Sequence, residues 1–210
     1  MISLFISTAY HKLIIALIKE DSILFFAEEN SDNTLSERAM PLVEECFLKT
    51  GINPKIINNV MVVNGPGSFT GIRIGVTISK VISWSLNKKL IQVSTLECMA
   101  STPFEEDFIC PIIDARRDFV YAGVYDKNSS LILEDKHILL TELEEYLKKL
   151  NKKICFVSYD NFSFDTKKPS IDVLKIVNNH INDEGINPHI LKPNYLKKTE
   201  AEETLEKRNK

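Results

Sequence analysis

The most informative segment of the chain reads Val60-Met61-Val62-Val63-Asn64-Gly65-Pro66-Gly67-Ser68-Phe69-Thr70-Gly71-Ile72-Arg73-Ile74-Gly75. Its first four residues predict a short buried strand, since they are continuously apolar and rich in valine. A glycine-rich turn over 64–68 follows, and the pattern then predicts a long helix over 69–86. A strand that enters a helix through glycines can present backbone N–H groups to a phosphate.

The turn does not match the familiar phosphate-binding or nucleophile motifs. No Gly-Lys-Ser/Thr follows the glycines, and the GxGxxxG spacing differs from the dinucleotide fingerprint. Ser68 is not the nucleophile of a G-x-S-x-G elbow, because Thr70 occupies the position of the second glycine. Two interpretations stay open: a nucleotide contact, and a tight turn in which the glycines supply unusual φ values.

The helix carries small residues at every fourth position, namely Gly67, Gly71, Gly75, Ser79 and Ser83. A glycine inside a helix costs about 1 kcal/mol relative to alanine, so the stripe predicts the close approach of another backbone. The rest of the helix surface is largely apolar, which indicates burial on more than one side. The second layer is either the helix predicted over 35–50 alone, or that helix together with a partner in a four-helix contact.

Upstream of this segment, three β-rich runs over 2–8, 12–19 and 22–28 are separated by short polar connectors and predict an antiparallel meander. The helix over 35–50 begins with a capping box, Thr34-x-x-Glu37, and carries an apolar stripe of period four. Gly51 is expected to end it in the left-handed conformation.

Downstream, strand 90–93 and helix 95–100 complete the first unit, and the polar, acidic stretch 101–107 with Pro103 predicts a lobe boundary. The elements predicted beyond it are strands 108–115 and 119–125 around the charged tip Arg116-Arg117-Asp118, strand 130–139, helix 141–150 with a capping box Thr141-x-x-Glu144, strand 154–158 and helix 171–181. This order predicts an α/β fold with a mixed sheet and flanking helices in each of two lobes. The predicted units are an N-terminal lobe over 1–103, a smaller lobe over 104–196 and a charged tail over 197–210.

The composition is that of an ordinary globular protein, with 44% hydrophobic and 26% charged residues. The net charge of -3 lacks the basic excess of a protein that binds RNA alone, so any contact with RNA is expected only through a partner. No apolar run approaches the ~20 residues of a membrane helix, and no signal peptide opens the chain. Four scattered cysteines without a CxxC pair fit a reducing compartment. We therefore expect a cytoplasmic protein without membrane contact.

Four segments in the right order closely resemble the TsaB (YeaZ) family, which an older nomenclature grouped with glycoproteases. They are 64–75, Ser36-Glu37-Arg38 with Pro41, Asp114-Ala115-Arg116-Arg117 with Val120-Tyr121, and Pro193-x-Tyr195-Leu196. The family's signature loop corresponds to Gly65, Pro66, Gly67, Ser68, Phe69, Thr70 and Arg73. Because these segments span most of the chain, chance similarity is a poor explanation.

The resemblance implies the two-lobed actin-like ATPase fold (ASKHA, RNase H-like) and a non-catalytic role. A TsaB protein is the partner of its paralogue TsaD, which works with the ATPase TsaE to form threonylcarbamoyladenosine beside the anticodon of ANN-decoding tRNAs. The resemblance further implies that ATP is bound by TsaD or TsaE, and that this chain holds neither cofactor nor metal. Two N-terminal helices form the contact with TsaD or with a second TsaB copy.

From the stripe and the resemblance together we predict a partner or dimer interface on the helices 35–50 and 69–86. Its predicted members are Leu35, Ala39, Met40, Val43, Phe47, Gly71, Ile74, Gly75, Ile78, Ser79, Ile82 and Ser83. The sequence departs from the family at Ile6-Ser7-Thr8, where members usually carry Asp-Thr-Ser. The departure removes an expected cleft carboxylate at Ile6 and argues against independent ATP binding.

Catalysis by this chain is the competing hypothesis, either as a free-standing ASKHA-type ATP-dependent enzyme or as a glycoprotease-like hydrolase. The four histidines include no pair one helical turn apart, so no metal site is predicted. Asp114 is interpreted as part of a charged hairpin tip, and Cys110 has no histidine nearby in sequence. No catalytic residue is therefore assigned. A sugar-kinase-like protein is a third hypothesis, and the sequence contains no ATP-binding loop motif that would support it.

Overall fold

A computed structural model describes residues 1–31 and 34–197 of the protein. The strands are β1 (Ile2–Tyr10), β2 (Lys12–Lys19), β3 (Ser22–Asn30), β4 (Asn59–Val63), β5 (Lys89–Val93), β6 (Phe108–Asp114), β7 (Phe119–Tyr125), β8 (Leu131–Leu139) and β9 (Ile154–Val157). The helices are α1 (Leu35–Thr50), α2 (Phe69–Ser85), α3 (Thr95–Ala100), α4 (Leu140–Leu150) and α5 (Val173–His180), with a short 3-10 turn at Pro54–Ile56. The expected tail beyond Lys197 lies outside the described residues.

The first sheet has the strand order β3-β2-β1-β4-β5. β1, β2 and β3 form the predicted antiparallel meander, while β4 and β5 run parallel to β1. All five residues of β4 are buried, as expected for a parallel strand covered on both faces. α1 and α2 pack against this sheet, and the carboxyl ends of the three parallel strands share one edge.

The second sheet repeats the arrangement on a smaller scale, with the order β8-β7-β6-β9. β6, β7 and β8 are antiparallel, and β9 runs parallel to β6. α4 covers one face of this sheet through the buried side chains of Leu143 and Leu147. The predicted two-lobed α/β architecture with a mixed sheet in each lobe is therefore confirmed.

α5 returns to the first sheet. Its buried side chains Val173, Ile176 and Val177 belong to the same core as β1 and β2, and Leu191 joins that core further along. The division into 1–103 and 104–196 remains a prediction, and it assigns α5 to the lobe on which this helix does not pack.

Both predicted capping boxes are wrong. Thr34 makes no side-chain cap, because its backbone (φ -94°, ψ 1°) is not extended as an N-cap requires; its carbonyl accepts from the amides of Glu37 and Arg38 instead. Thr141 lies inside α4, because β8 runs directly into this helix at Leu140. Gly51 does end α1 in the left-handed conformation, with φ 66°.

Candidate functional site: the outer face of helices α1 and α2 and the interlobe cleft

The glycine-rich turn docks on the end of β1. Gly65 and Gly67 have φ values of 118° and 151°, which only glycine adopts readily. The amide of Ser68 donates to the carbonyl of Ala9 at 2.7 Å, and the Ser68 hydroxyl accepts from the amide of Gly71 at 3.2 Å. Ser68 is thus the N-cap of α2, a role that the sequence analysis did not assign. Two amides at the start of this helix are used inside the protein.

The small-residue stripe of α2 faces its own sheet. A Cβ atom on Gly71 would overlap the carbonyl oxygen of Thr8, and one on Gly75 would overlap the Thr8 hydroxyl. Ser79 and Ser83 are also buried, at 0% and 1% exposure. The predicted close backbone approach exists, but it is made with β1. The interpretation that the stripe supplies the partner contact is therefore corrected, because these four residues are buried against the protein's own sheet.

The opposite side of α2 and the outer side of α1 are exposed and apolar. Leu48 is 74% exposed, Trp84 65%, Val81 57% and Met40 49%. A groove of about 860 Å³ separates the two helices, and Val43, Phe47, Ile82 and Leu86 contribute to its lining. Met40 and Leu48 line this groove, whereas Val81 and Trp84 lie outside its lining and Trp84 contacts His189. Single exposed apolar side chains are ordinary, but several of them beside an apolar groove indicate a binding surface.

The predicted interface residues divide between this face and the core. Met40, Val43, Phe47 and Ile82 line the groove, and Ile74 and Ile78 are half-buried on α2. Leu35 and Ala39 are buried and belong to the first core. Trp84 on α2 and Leu48 on α1 were not predicted. The small-residue stripe directed attention to the opposite side of α2, and Leu48 lies outside the period-four apolar stripe of α1. A large apolar residue outside the stripe of its helix is the signal that could have found each of them.

The signature residues of α2 hold the C-terminal segment. The Arg73 Nε donates to the Tyr195 hydroxyl at 2.9 Å, and the guanidinium lies 3.7 Å from the centre of the Phe69 ring. Phe69 also stacks on Tyr195, with 5.1 Å between ring centres. Two of the four segments that carry the family resemblance thus meet in one aromatic and guanidinium cluster.

A polar cleft of about 620 Å³ lies between the lobes, at the carboxyl end of β1. Tyr10, His11, Ser68, Asp114 and Tyr121 contribute to its lining. Burial raises the pKa of the Tyr10 phenol. The side chain of Ile6 is completely buried in the first core, so this position does not face the cleft. The predicted loss of a cleft carboxylate at Ile6 therefore has no support in the geometry.

The carboxylate of Asp114 is used to build the hairpin tip after β6. Its Oδ1 accepts from the amide of Arg116 at 2.8 Å, and the residues Arg116, Arg117 and Asp118 all have positive φ. The amide of Asp114 donates to Asp160 at 2.7 Å. These bonds give Asp114 a structural task at the mouth of the cleft.

The four cysteines are buried and free. Burial raises the pKa of the Cys46 thiol to about 12 and raises the pKa of the Cys110 thiol as well, so neither is a thiolate at neutral pH. Within residues 1–31 and 34–197, no three His, Cys, Asp or Glu side chains come close enough to hold a metal ion. No helix in these ranges has the length and apolar character needed to cross a bilayer.

Comparison with known proteins gives consistent matches. Residues 29–177 match the family model of "TsaD: tRNA N6-adenosine threonylcarbamoyltransferase". The tRNA threonylcarbamoyladenosine biosynthesis protein TsaB of Bacillus subtilis is 35% identical over 164 residues, covering 76% of this chain and 72% of that protein. Its Escherichia coli counterpart is 32% identical over 98 residues, covering 45% and 42%.

Among solved structures, YeaZ from Pseudomonas aeruginosa superposes with a TM-score of 0.73 at 18% identity, over 92% of this chain and all of that one. A second crystal structure from the same organism, described as similar to peptidase YEAZ, gives a TM-score of 0.75 at 18% identity, over 93% and 99%. The fold of this chain is thus the two-lobed α/β fold of the YeaZ structures. Together with the sequence matches, this fold shows that the chain belongs to the TsaB family.

Proposed function

We propose that this chain takes part in forming threonylcarbamoyladenosine in tRNA, as a non-catalytic subunit that pairs with TsaD and works with TsaE. The names of its relatives support a part in threonylcarbamoyladenosine formation. The exposed apolar face of α1 and α2 supports the contact with TsaD. That face is the observation on which the proposal depends. Leaving Leu48 and Trp84 in water is unfavourable, and a partner that covers them recovers their burial free energy.

The partner engages the outer sides of α1 and α2. Large aromatic and aliphatic side chains that enter a pocket usually dominate the energy of such contacts. Trp84 on α2 and Leu48 on α1 are the natural anchors, and the groove between the helices receives a side chain of the partner. A second copy of this chain would compete for the same face, so a homodimer and the TsaD complex exclude each other.

The proposal assigns chemistry and ATP binding to TsaD and TsaE. In this chain, the turn before α2 uses the amides of Ser68 and Gly71 for internal bonds, which leaves less of a phosphate cradle. Asp114 is engaged with the amide of Arg116, and the Cys110 thiol is protonated in the core. We propose that the complex acts in the cytoplasm on ANN-decoding tRNAs.

Reconstitution tests this function. TsaD, TsaE, a supply of threonylcarbamoyl-adenylate and an ANN-decoding tRNA transcript are combined with and without this chain, and the modified nucleoside is measured by mass spectrometry. Product is expected only when the chain is present. Equal product without it contradicts the proposed role.

The interlobe cleft favours one alternative, a free-standing ATP-dependent enzyme or glycoprotease-like hydrolase with Asp114 at its site. The purified chain alone is assayed for ATP turnover and peptide cleavage. Turnover that is abolished by Asp114→Asn or Ser68→Ala would replace the subunit model. Absence of turnover, together with a dependence of the reconstituted reaction on the chain, supports the subunit.

A further inference from the structure

The C-terminal segment 186–197 contacts α2, the edge strand β5 and the turn that follows β4. The amide of Ile186 donates to the carbonyl of Leu90 at 2.8 Å, and the amide of Asn194 donates to the carbonyl of Asn64 at 2.7 Å. Between these points, Lys80 Nζ donates to the carbonyl of Leu191 at 3.1 Å. The segment is therefore fixed to α2, to the edge strand β5 near its amino end, and to the turn that follows β4.

The surface formed by α2 and this segment contains cations and no carboxylate of its own. The residues of α2 include Arg73 and Lys80 but no Asp or Glu, and 186–197 includes Lys192 and Lys197 but no Asp or Glu. Among the described residues, none of these four cations forms an ion pair. This basic strip occurs in a protein whose net charge is -3.

A polar recess of about 490 Å³ adjoins the strip. Its lining includes three carboxamides, Asn64, Gln92 and Asn194, and Lys192 is its charged member. Asn64 is only 6% exposed, and its Nδ2 donates to Gln92 Oε1 at 3.1 Å, which fixes the orientation of both amides. The volume lies within the range of about 300–1,000 Å³ that small-ligand sites occupy.

We propose that this surface binds RNA, with the basic strip on the phosphates and the carboxamide recess on an unpaired base. Lysine and arginine supply the salt-dependent attraction to the backbone, while carboxamides pair with the donor and acceptor edges of bases. Single-stranded loops offer such bases, and exposed rings such as Tyr195 offer a stacking face. An acidic protein could pair with the cations of the strip, but it would leave the carboxamide recess unfilled.

The inference rests on the proposed function in taking tRNA as the RNA, and it changes the expectation that contact with tRNA is only indirect. The strip is local, so an acidic net charge does not prevent it from binding. The contact would be weak in the isolated chain and would add to whatever TsaD contributes. The recess and the groove beside α1 share no lining residue, and the two surfaces adjoin at Trp84, which contacts His189 of the C-terminal segment.

The test measures binding of the full chain to a fluorescent stem-loop that carries an ANN-decoding anticodon loop, at several salt concentrations. Lys192→Glu with Lys197→Glu should raise Kd at least about 10-fold and reduce the salt slope by about 0.7 for each lost phosphate contact. The matched control is Lys148→Glu with Lys149→Glu on α4, which should leave Kd within about 2-fold because it makes the same charge change on the other lobe. Equal Kd values for the two double variants would overturn the proposal.

Three further binding measurements identify the ligand. Gln92→Ala should weaken binding to the stem-loop but not to a fully paired duplex, and an equal effect on both would remove the recess from the model. Adenosine monophosphate that binds as tightly as the stem-loop would make the site one for free nucleotides and overturn RNA binding. Competition by polyglutamate as strong as that by RNA would point to an acidic protein and also overturn it. Because the isolated chain is measured, failure to pair with TsaD leaves these outcomes unchanged.

Discussion

The hydroxyl of Thr8 in β1 donates a 2.7 Å hydrogen bond to the carbonyl oxygen of Gly71 in α2. The bond is buried, and the same hydroxyl occupies the space that a Cβ atom on Gly75 would need. Helix and strand therefore approach to a distance that only glycine permits. The conformational cost of the two glycines is offset inside the fold, so no partner is needed to explain them.

Gly75→Ala is expected to destabilise the protein by about 1–3 kcal/mol, because overpacking the helix–strand contact exceeds the helix propensity that alanine gains. The measurement is urea unfolding followed by circular dichroism. Thr77→Ala, on the exposed side of the same helix, is the control and should change stability by less than about 0.5 kcal/mol.

A double-mutant cycle identifies the cause. Thr8→Ala removes the hydroxyl that the new methyl group would meet and leaves the nearest remaining atom, the Thr8 Cβ, at 3.5 Å. The loss in Gly75→Ala should therefore be smaller in the Thr8→Ala background. Strict additivity of the two changes would show that the Thr8 side chain does not set the approach.

Ser79→Ala and Ser83→Ala are expected to stabilise the protein by about 1 kcal/mol each. Both side chains are buried, and neither hydroxyl has a hydrogen-bond partner among the described residues. Removing an unpaired buried hydroxyl relieves its desolvation cost, and alanine is the better helix former. Thermal unfolding of the single variants measures the effect. Destabilisation would mean that each hydroxyl has a partner, such as a buried water.

Local patterns in the sequence predicted most of the elements. The bounds of α1 match its apolar period and Gly51, and the β-rich run 12–19 coincides with β2. Caps were not predictable in the same way, because a Thr-x-x-Glu pattern does not specify the backbone conformation before a helix. Thr34 has that pattern without the required φ and ψ, whereas Ser68 caps α2 without a matching box.

The orientation of α2 could not be predicted, because a stripe of small residues indicates close approach but not which neighbour approaches. The packing of α5 on the first sheet escaped prediction for a related reason. The side chains of Val173, Ile176 and Val177 fit an apolar face of either sheet, and only the path of the chain decides between the two. Site residues that depend on such long-range choices, including Trp84, were missed.

Leu48→Glu and Trp84→Glu are expected to weaken the complex with TsaD at least about 10-fold without lowering the stability of the free chain. Both side chains are already exposed, so the charge costs little in the monomer but is buried in the complex. Calorimetric titration measures affinity, and thermal unfolding checks the fold. Leu131→Glu, at a 57% exposed leucine of β8 in the other lobe, is the control. Normal binding by both variants would exclude this face as the contact.

The ion-paired histidine of α5 predicts a pH dependence of stability. The Nε2 atom of His180 lies 2.6 Å from Oε1 of Glu97 in α3, and its Nδ1 atom lies 2.6 Å from Oδ2 of Asp183. The hydrogen bond with Glu97 is the main cause that raises the pKa of His180 to about 9. Because the folded-state pKa is raised above that of the unfolded chain, the stabilisation is complete below pH ~6.5. It is lost as the pH rises from there through about 9. At ~1.4 kcal/mol per pKa unit, the free energy of folding that this protonation contributes is on the order of 3 kcal/mol, because the His180 side chain is mostly buried.

Urea unfolding at pH 6 and at pH 9.5 tests this dependence. The parent chain should lose stability at the higher pH, and His180→Gln should lose less, because its amide does not titrate. His189→Gln, an exposed histidine beside Trp84, should keep the parent's dependence. If His180→Gln retains the full loss between the two pH values, the link between α3 and α5 is not its source. If the loss disappears in His180→Gln and persists in His189→Gln, the protonated imidazole between Glu97 and Asp183 holds α5 to α3.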